Sequence, residues 1–136
     1  MNRLLWTMFA LVAFLPGCAN VTMGGFEVSI SEKEAGTFSL QVGDKKLARD
    51  IIVERTAAHR NSSGFLATTV MVRNTTKTDY PVQYKFVFFD SNGMVVCPDD
   101  RGWEQKTLHG GEAGSLFAIA PTKSVASFTV HVRRIN

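Results

Sequence analysis

The sequence predicts an all-β fold: an immunoglobulin-like antiparallel β-sandwich of about seven strands over residues 26–136, behind an amino-terminal signal segment. Three observations carry that expectation. Apolar and polar residues alternate in several stretches, and no stretch sustains a helical period. Turn-forming clusters recur at roughly 8–12-residue spacing, as short sandwich strands require. One segment sets five large apolar side chains on a single pleated face, and such a face needs a second layer to cover it.

The elements follow in order. Phe26–Ile30 and Thr37–Val42 read as edge strands. Asp50–Thr56 (DIIVERT) is β-branched and strand-forming, and His59–Gly64 is the loop after it. Phe65–Arg73 places Leu66, Thr68, Val70 and Val72 on one side, and the polar run Asn74–Asp79 ends it. Tyr80–Asp90 is the clearest strand: Tyr80, Val82, Tyr84, Phe86 and Phe88 share a face, with Pro81, Gln83 and Lys85 opposite. Asp90-Ser91-Asn92-Gly93 makes a hairpin turn into a returning strand, Met94–Cys97. Gln105–Leu108 and Ser115–Ile119 flank the turn His109–Gly114, and one short helical turn is expected near Ala120–Ser124. The last strand, Ala126–Arg134, points Phe128, Val130 and Val132 inward and Thr129, His131 and Arg133 outward.

At 136 residues the chain suffices for one domain. Its amino terminus divides it further. Arg3 supplies a positive start, and Leu4–Leu15 is an uncharged run of twelve, long enough for a signal segment but too short to cross a bilayer as a helix. It has no polar face, which argues against an amphipathic surface helix. Leu15-Pro16-Gly17-Cys18 resembles the lipobox of lipoprotein signal peptides in Leu15, Gly17 and Cys18; Pro16 stands where Ala or Ser is usual. The resemblance implies cleavage between Gly17 and Cys18 and acylation of Cys18. Two or more chains hold a protein at a membrane where one binds only marginally. Ala19, rather than Asp, after the lipidated residue implies the outer membrane, facing the periplasm. Residues 1–17 are then the signal peptide, 18–25 the lipidated cysteine and a small polar tether, and 26–136 the domain.

With Cys18 acylated, Cys97 has no partner within the chain, so it is expected as a buried small hydrophobe, with an intermolecular bridge as the alternative. Loss of Arg3 leaves 14 basic against 12 acidic residues, a net charge of +2 spread singly along the chain. Nucleic-acid binding needs basic residues clustered on one face, so no nucleic-acid partner is expected.

The residues that could carry chemistry do not assemble into a known pattern. His59, His109 and His131 lack metal-ligand spacing with each other or with Cys97, so no metal and no cofactor is expected. Asp99 and Asp100 are adjacent and point apart if extended; with Arg101 and Gly102 they read as a turn. Asp90–Gly93 fails as a calcium loop, having Met94 at the fifth position and no closing Glu at Arg101. Cys97 has no local thiol-hydrolase signature, and Gly114-Ser115 lacks the flanking glycines of a serine nucleophile elbow. His109–Gly114 is glycine-rich without a P-loop lysine. Trp103 stands out as a large aromatic in a polar loop beside Arg101, able to stack on a sugar ring or anchor a partner, or else to cap one end of the sandwich. Phe89 and Phe117 are expected as core or edge cover.

The run Val70-Met71-Val72-Arg73-Asn74, followed by Val82, Tyr84, Phe86, Phe88, Phe89, Asp90 and Gly93, resembles the YcfL-like lipoprotein family. That family has a strand ending in Asn, a polar turn, a V-x-Y-x-F-x-aromatic-aromatic-D strand and a Gly turn. Pro98 and Ala120-Pro121 fit it too, and the likeness spans roughly Leu47 to Val132 and the lipobox. It implies a small envelope lipoprotein of unassigned activity, with no family site residues to carry over. One relative lies in the gene neighbourhood of a lipoprotein activator of a peptidoglycan synthase, which implies a cell-envelope role. The expected function is a lipid-anchored, non-catalytic module that binds an envelope protein through strand edges or loops. The alternatives are peptidoglycan or other glycan binding through Trp103 and Arg101, and, behind both, an envelope hydrolase.

Overall fold

The computed structural model describes residues 24–34, 36–98 and 102–135. The signal segment, the cleavage position at Gly17, the lipidation residue Cys18 and the candidate binding residue Arg101 lie outside the described residues, as do Asp99 and Asp100. Among the described residues, no helix is long and apolar enough to cross a membrane.

The described residues form nine strands: β1 (Gly25–Ser31), β2 (Ser39–Val42), β3 (Ile51–Arg60), β4 (Leu66–Asn74), β5 (Tyr80–Asp90), β6 (Val95–Val96), β7 (Glu104–Leu108), β8 (Ala113–Ile119) and β9 (Val125–Arg134). A 3₁₀ turn at Glu32–Glu34 and a short helix α1 (Lys45–Asp50) are the other regular elements. The larger sheet has the order β2-β1-β9-β5-β6, with β7 on the same edge of β5 as β6; the smaller is β3-β4-β8. Every pairing is antiparallel.

The two sheets close over one core. Phe26, Val28 and Ile30 of β1, Val82, Phe86 and Phe88 of β5, and Phe128, Val130 and Val132 of β9 face Leu66, Val70 and Val72 of β4 and Leu116 of β8. The period-2 pattern of β5 and β9 therefore has the cause inferred from sequence: alternate residues meet a second layer. Phe86 lies at its centre, its ring centroid 6.0 Å from those of both Phe88 and Phe128. Tyr80 is half-buried at the start of the same row.

The sandwich is the fold expected; about seven strands were anticipated and nine are described, and the segments Thr37–Val42 and Met94–Cys97, read as strands, shorten to the four-residue β2 and the two-residue β6. Three local expectations are corrected. Ala120–Ser124 is turn and bend, not helix, and passes directly from the end of β8 into β9 at Val125. The helix stands instead at Lys45–Asp50, where Asp44 caps it by accepting from the amides of Lys46 and Leu47, each at 3.1 Å. β3 runs to Arg60, through part of the expected His59–Gly64 loop, since β4 pairs with it, past a bulge at Glu54, as far as the Arg60–Leu66 pair.

Candidate functional site

The outer face of the larger sheet carries four cross-strand rows. From one end they are Arg133–Gln83, then Glu27–His131–Lys85, then Ser29–Thr129–Val87, then Ser31–Ser127–Phe89. Each residue stands there because its strand alternates: burial of Phe128, Val130 and Val132 forces Ser127, Thr129, His131 and Arg133 outward. The face is thus charged at one end and hydroxyl-rich at the other.

Trp103 precedes β7 at the charged end. The Arg133 guanidinium lies 3.7 Å from its ring centroid, and Arg133 Nε donates to Gln83 Oε1 at 2.9 Å. The indole neither caps an end of the sandwich nor stands clear; one of its faces is stacked by a cation. Next to it, the Tyr84 hydroxyl donates to Glu104 Oε2 at 2.7 Å. Burial, and then that carboxylate, push the phenol up to about 12, which keeps it a proton donor at neutral pH.

In the second row His131 Nδ1 is 3.3 Å from Glu27 Oε2, and its Nε2 is 3.3 Å from Thr129 Oγ1. This order of hydroxyl, imidazole and carboxylate superficially matches a nucleophile relay. Burial holds the imidazole below its ordinary pKa; the upward pull of Glu27 is outweighed, with Lys85 adding to the downward push. Thr129 is itself buried, and β9 is paired on both sides, so its ladder amides are not turned toward a developing oxyanion. The chemistry this row offers is hydrogen bonding.

At the hydroxyl end the face becomes concave. The 3₁₀ turn and the segment leading into β2 fold against it and enclose an open cavity of about 480 Å³, lined by Ser29, Ser31, Ser39, Ser127, Thr129 and Phe89, among others. A second feature lies at the side of the sandwich, where edge strands β2 and β3 face each other. There Phe38, Leu40 and Ile52 rim a cleft of about 170 Å³ floored by Phe26 and Ile51. Phe38, Leu40, Val42 and Ile52 are each about two-fifths exposed, a cluster of large apolar groups on neighbouring edges.

The remaining candidates are scattered. Cys97 is exposed and has a left-handed backbone with φ 49°, so its expectation as a buried hydrophobe is corrected. The two-residue β6 ends just before it and supplies no covering layer. Phe117 is 51% exposed on β8, not core, because it alternates with buried Leu116 and Ala118. His109 contacts Asp79 at 3.2 Å on the surface, and His131 is on the expected face but half-covered by Glu27. Among the described residues no three His, Cys, Asp or Glu side chains converge as metal ligands.

Neither the cleft nor the cavity was identified from sequence. The alternation that assigns Leu40 to a buried face is visible, but that β2 ends the sheet is not. The serines of the cavity come from opposite ends of the chain and meet only through the β1–β9 pairing.

Comparison with known proteins agrees with this architecture. Campylobacter jejuni cj0090, at 20% identity, superposes with a TM-score of 0.59 over 68% of this chain and 94% of its own. A Shewanella sp. pv-4 structure of a DUF1425 family member, at 22% identity, superposes with a TM-score of 0.58 over 85% of this chain and 93% of its own. These likenesses show the fold. No curated protein matches the chain. Residues 38–134 match the model of a family described as protein of unknown function, DUF1425. With most of its length matched and the aromatic strand within the match, the chain belongs to the DUF1425 family.

Proposed function

We propose that the protein is a non-catalytic binding module held at the periplasmic side of the outer membrane by lipid on Cys18, and that it takes an extended segment of an envelope protein along the edge strand β2. The observation that carries this reading is the free edge of β2. One side of β2 pairs with β1, and among the described residues the other has no strand beside it in the sheet. Phe38, Leu40 and Val42 share a face beside Ile52. An added strand would gain main-chain hydrogen bonds from the edge and set alternate apolar side chains into the cleft.

A photo-cross-linker at Leu40 of the full-length protein in cells tests it. The expected result is one discrete adduct that disappears with Phe38→Lys, a charge that blunts the edge. That adduct should survive Val95→Lys on the remote β6. An adduct insensitive to Phe38→Lys, or none at all, rejects β2 as the docking edge. The anchor is tested separately: Cys18→Ser should release the protein from the membrane fraction, and an unmodified Cys18 by mass spectrometry would remove the anchoring half of the proposal.

A further inference from the structure

We infer that the cavity at the hydroxyl end of the larger sheet is a binding site for a neutral saccharide, one ring of which stacks on Phe89. This site adjoins the β2–β3 cleft, with which it shares Phe38, and does not use Trp103.

Four observations converge. At about 480 Å³ the cavity is in the range of small-ligand sites, roughly 300–1,000 Å³. Its polar lining is mostly hydroxyl: Ser29, Ser31, Ser39 and Ser127 join Thr129. Ser31, Ser39 and Ser127 have no side-chain hydrogen-bond partner among the described residues. A hydroxyl both donates and accepts, so a cluster of them matches a ligand whose groups also do both. Sugar hydroxyls have that property; a purely apolar ligand would strand the serines without partners.

The charge of the wall narrows the class further. Among the described residues, Glu34 is the ionisable group in the lining, and neither Lys nor Arg lines it. A phosphate or carboxylate would meet a carboxylate and no cation, which disfavours anions. The fourth observation is Phe89. It lies on the outer face in register with Ser127, while its neighbours Phe86 and Phe88 belong to the core cluster. A flat ring beside hydroxyls supplies an apolar platform for the C–H face of a pyranose, while the serines reach its equatorial oxygens.

Two probes distinguish the source of such a sugar: N,N′-diacetylchitobiose, an amino sugar of cell-wall type, and maltose, a free glucose disaccharide. The full chain, in a phosphocholine detergent that carries no sugar of its own, is titrated with each by amide-resolved NMR. One of the two should shift the amides of Ser29, Phe89, Ser127 and Thr129 with a dissociation constant near ~1 mM, a typical weak-ligand value. Phe89→Ala should weaken that binding about tenfold, the scale of one lost aromatic contact. Phe89→Leu keeps apolar volume without the flat face and should weaken it similarly, which covers the case in which Phe89→Ala does not fold. Trp103→Ala should leave it unchanged. The inference is overturned if neither disaccharide shifts these amides, or if the shifts persist undiminished in both Phe89 variants. It is equally overturned if they vanish with Trp103→Ala in a folded protein.

Discussion

The carboxamide of Asn74 is fully buried, and all four of its hydrogen-bonding positions are used. Its Nδ2 donates to the carbonyls of Thr78 and Leu108 at 2.8 and 2.9 Å, and its Oδ1 accepts from the amide and hydroxyl of Thr76 at 2.9 and 2.7 Å. One side chain thereby fixes the turn after β4 and holds the end of β7 beside it. Asn74→Ala should lower stability by about 1–3 kcal/mol, because the buried Leu108 carbonyl and the partly buried Thr78 carbonyl lose this donor. Chemical denaturation would measure this, and a change under about 0.5 kcal/mol would mean the turn re-forms without the amide. Thr56 is the opposite case. Its hydroxyl is buried without a partner among the described residues. Thr56→Val removes an unsatisfied polar atom at nearly constant shape, so stability should stay level or rise by about 1 kcal/mol. A clear loss in the same measurement would show that the hydroxyl is engaged.

Elements differ in how legible they are in sequence. β5 and β9 stand out because each is central, covered on one face, and so strictly alternating in Val82 to Phe88 and Phe128 to Val132. α1 does not, because KKLARD has a single buried residue, Leu47, and one anchor makes no period. Its legible signal is Asp44, three residues before Leu47. That carboxyl is buried, which raises its pKa. The amide of Leu47, then the hydrogen bond from Arg134 Nε at 2.6 Å, more than reverse this and hold it below the usual carboxylate range. A depressed folded-state pKa means stability that is present above the unfolded value near ~3.9 and lost as pH falls through the folded one. Asp44→Ala should therefore cost about 0.5–2 kcal/mol at neutral pH, with the gap to the parent protein closing in acid below about pH 4. Thermal melts at several pH values check it; a gap constant with pH would assign the loss to packing rather than charge. The hydroxyl cavity was hidden for a different reason. A serine facing outward reads as ordinary surface until strand order is known, and β1 pairs with β9 across nearly the whole chain.

At the scale of the whole molecule, the two sheets are joined at their edges as well as through the core. Arg60, at the end of β3, grips Glu32 of the other sheet's 3₁₀ turn with two hydrogen bonds, at 2.9 and 2.8 Å. It also donates to the carbonyls of Gly64, Lys123 and Val125. The ion pair is about one-third exposed and screened, so most of its value lies in satisfying those carbonyls and pinning three loops together. Arg60→Ala should lower stability by about 1–3 kcal/mol, and Arg60→Lys should recover little of it, because an ammonium cannot span the same acceptors. Calorimetric melting of both variants decides this; full rescue by Lys would reduce the role to charge alone. At the junction between the sheets, Gly110 sits where a Cβ would lie 2.5 Å from the Lys77 carbonyl oxygen, so the crossing from β7 to β8 tolerates no side chain there.

The antiparallel pairing of the first strand with the last, with Gly25 opposite Arg133, brings residues far apart in sequence to one end of the sandwich. The span from residue 24 to 135 is therefore nearly a closed loop, and the same set of contacts admits a different starting point. A circular permutant that bridges residues 135 and 24 with a few glycines and opens at the exposed Asn92–Gly93 turn would keep every long strand pair intact.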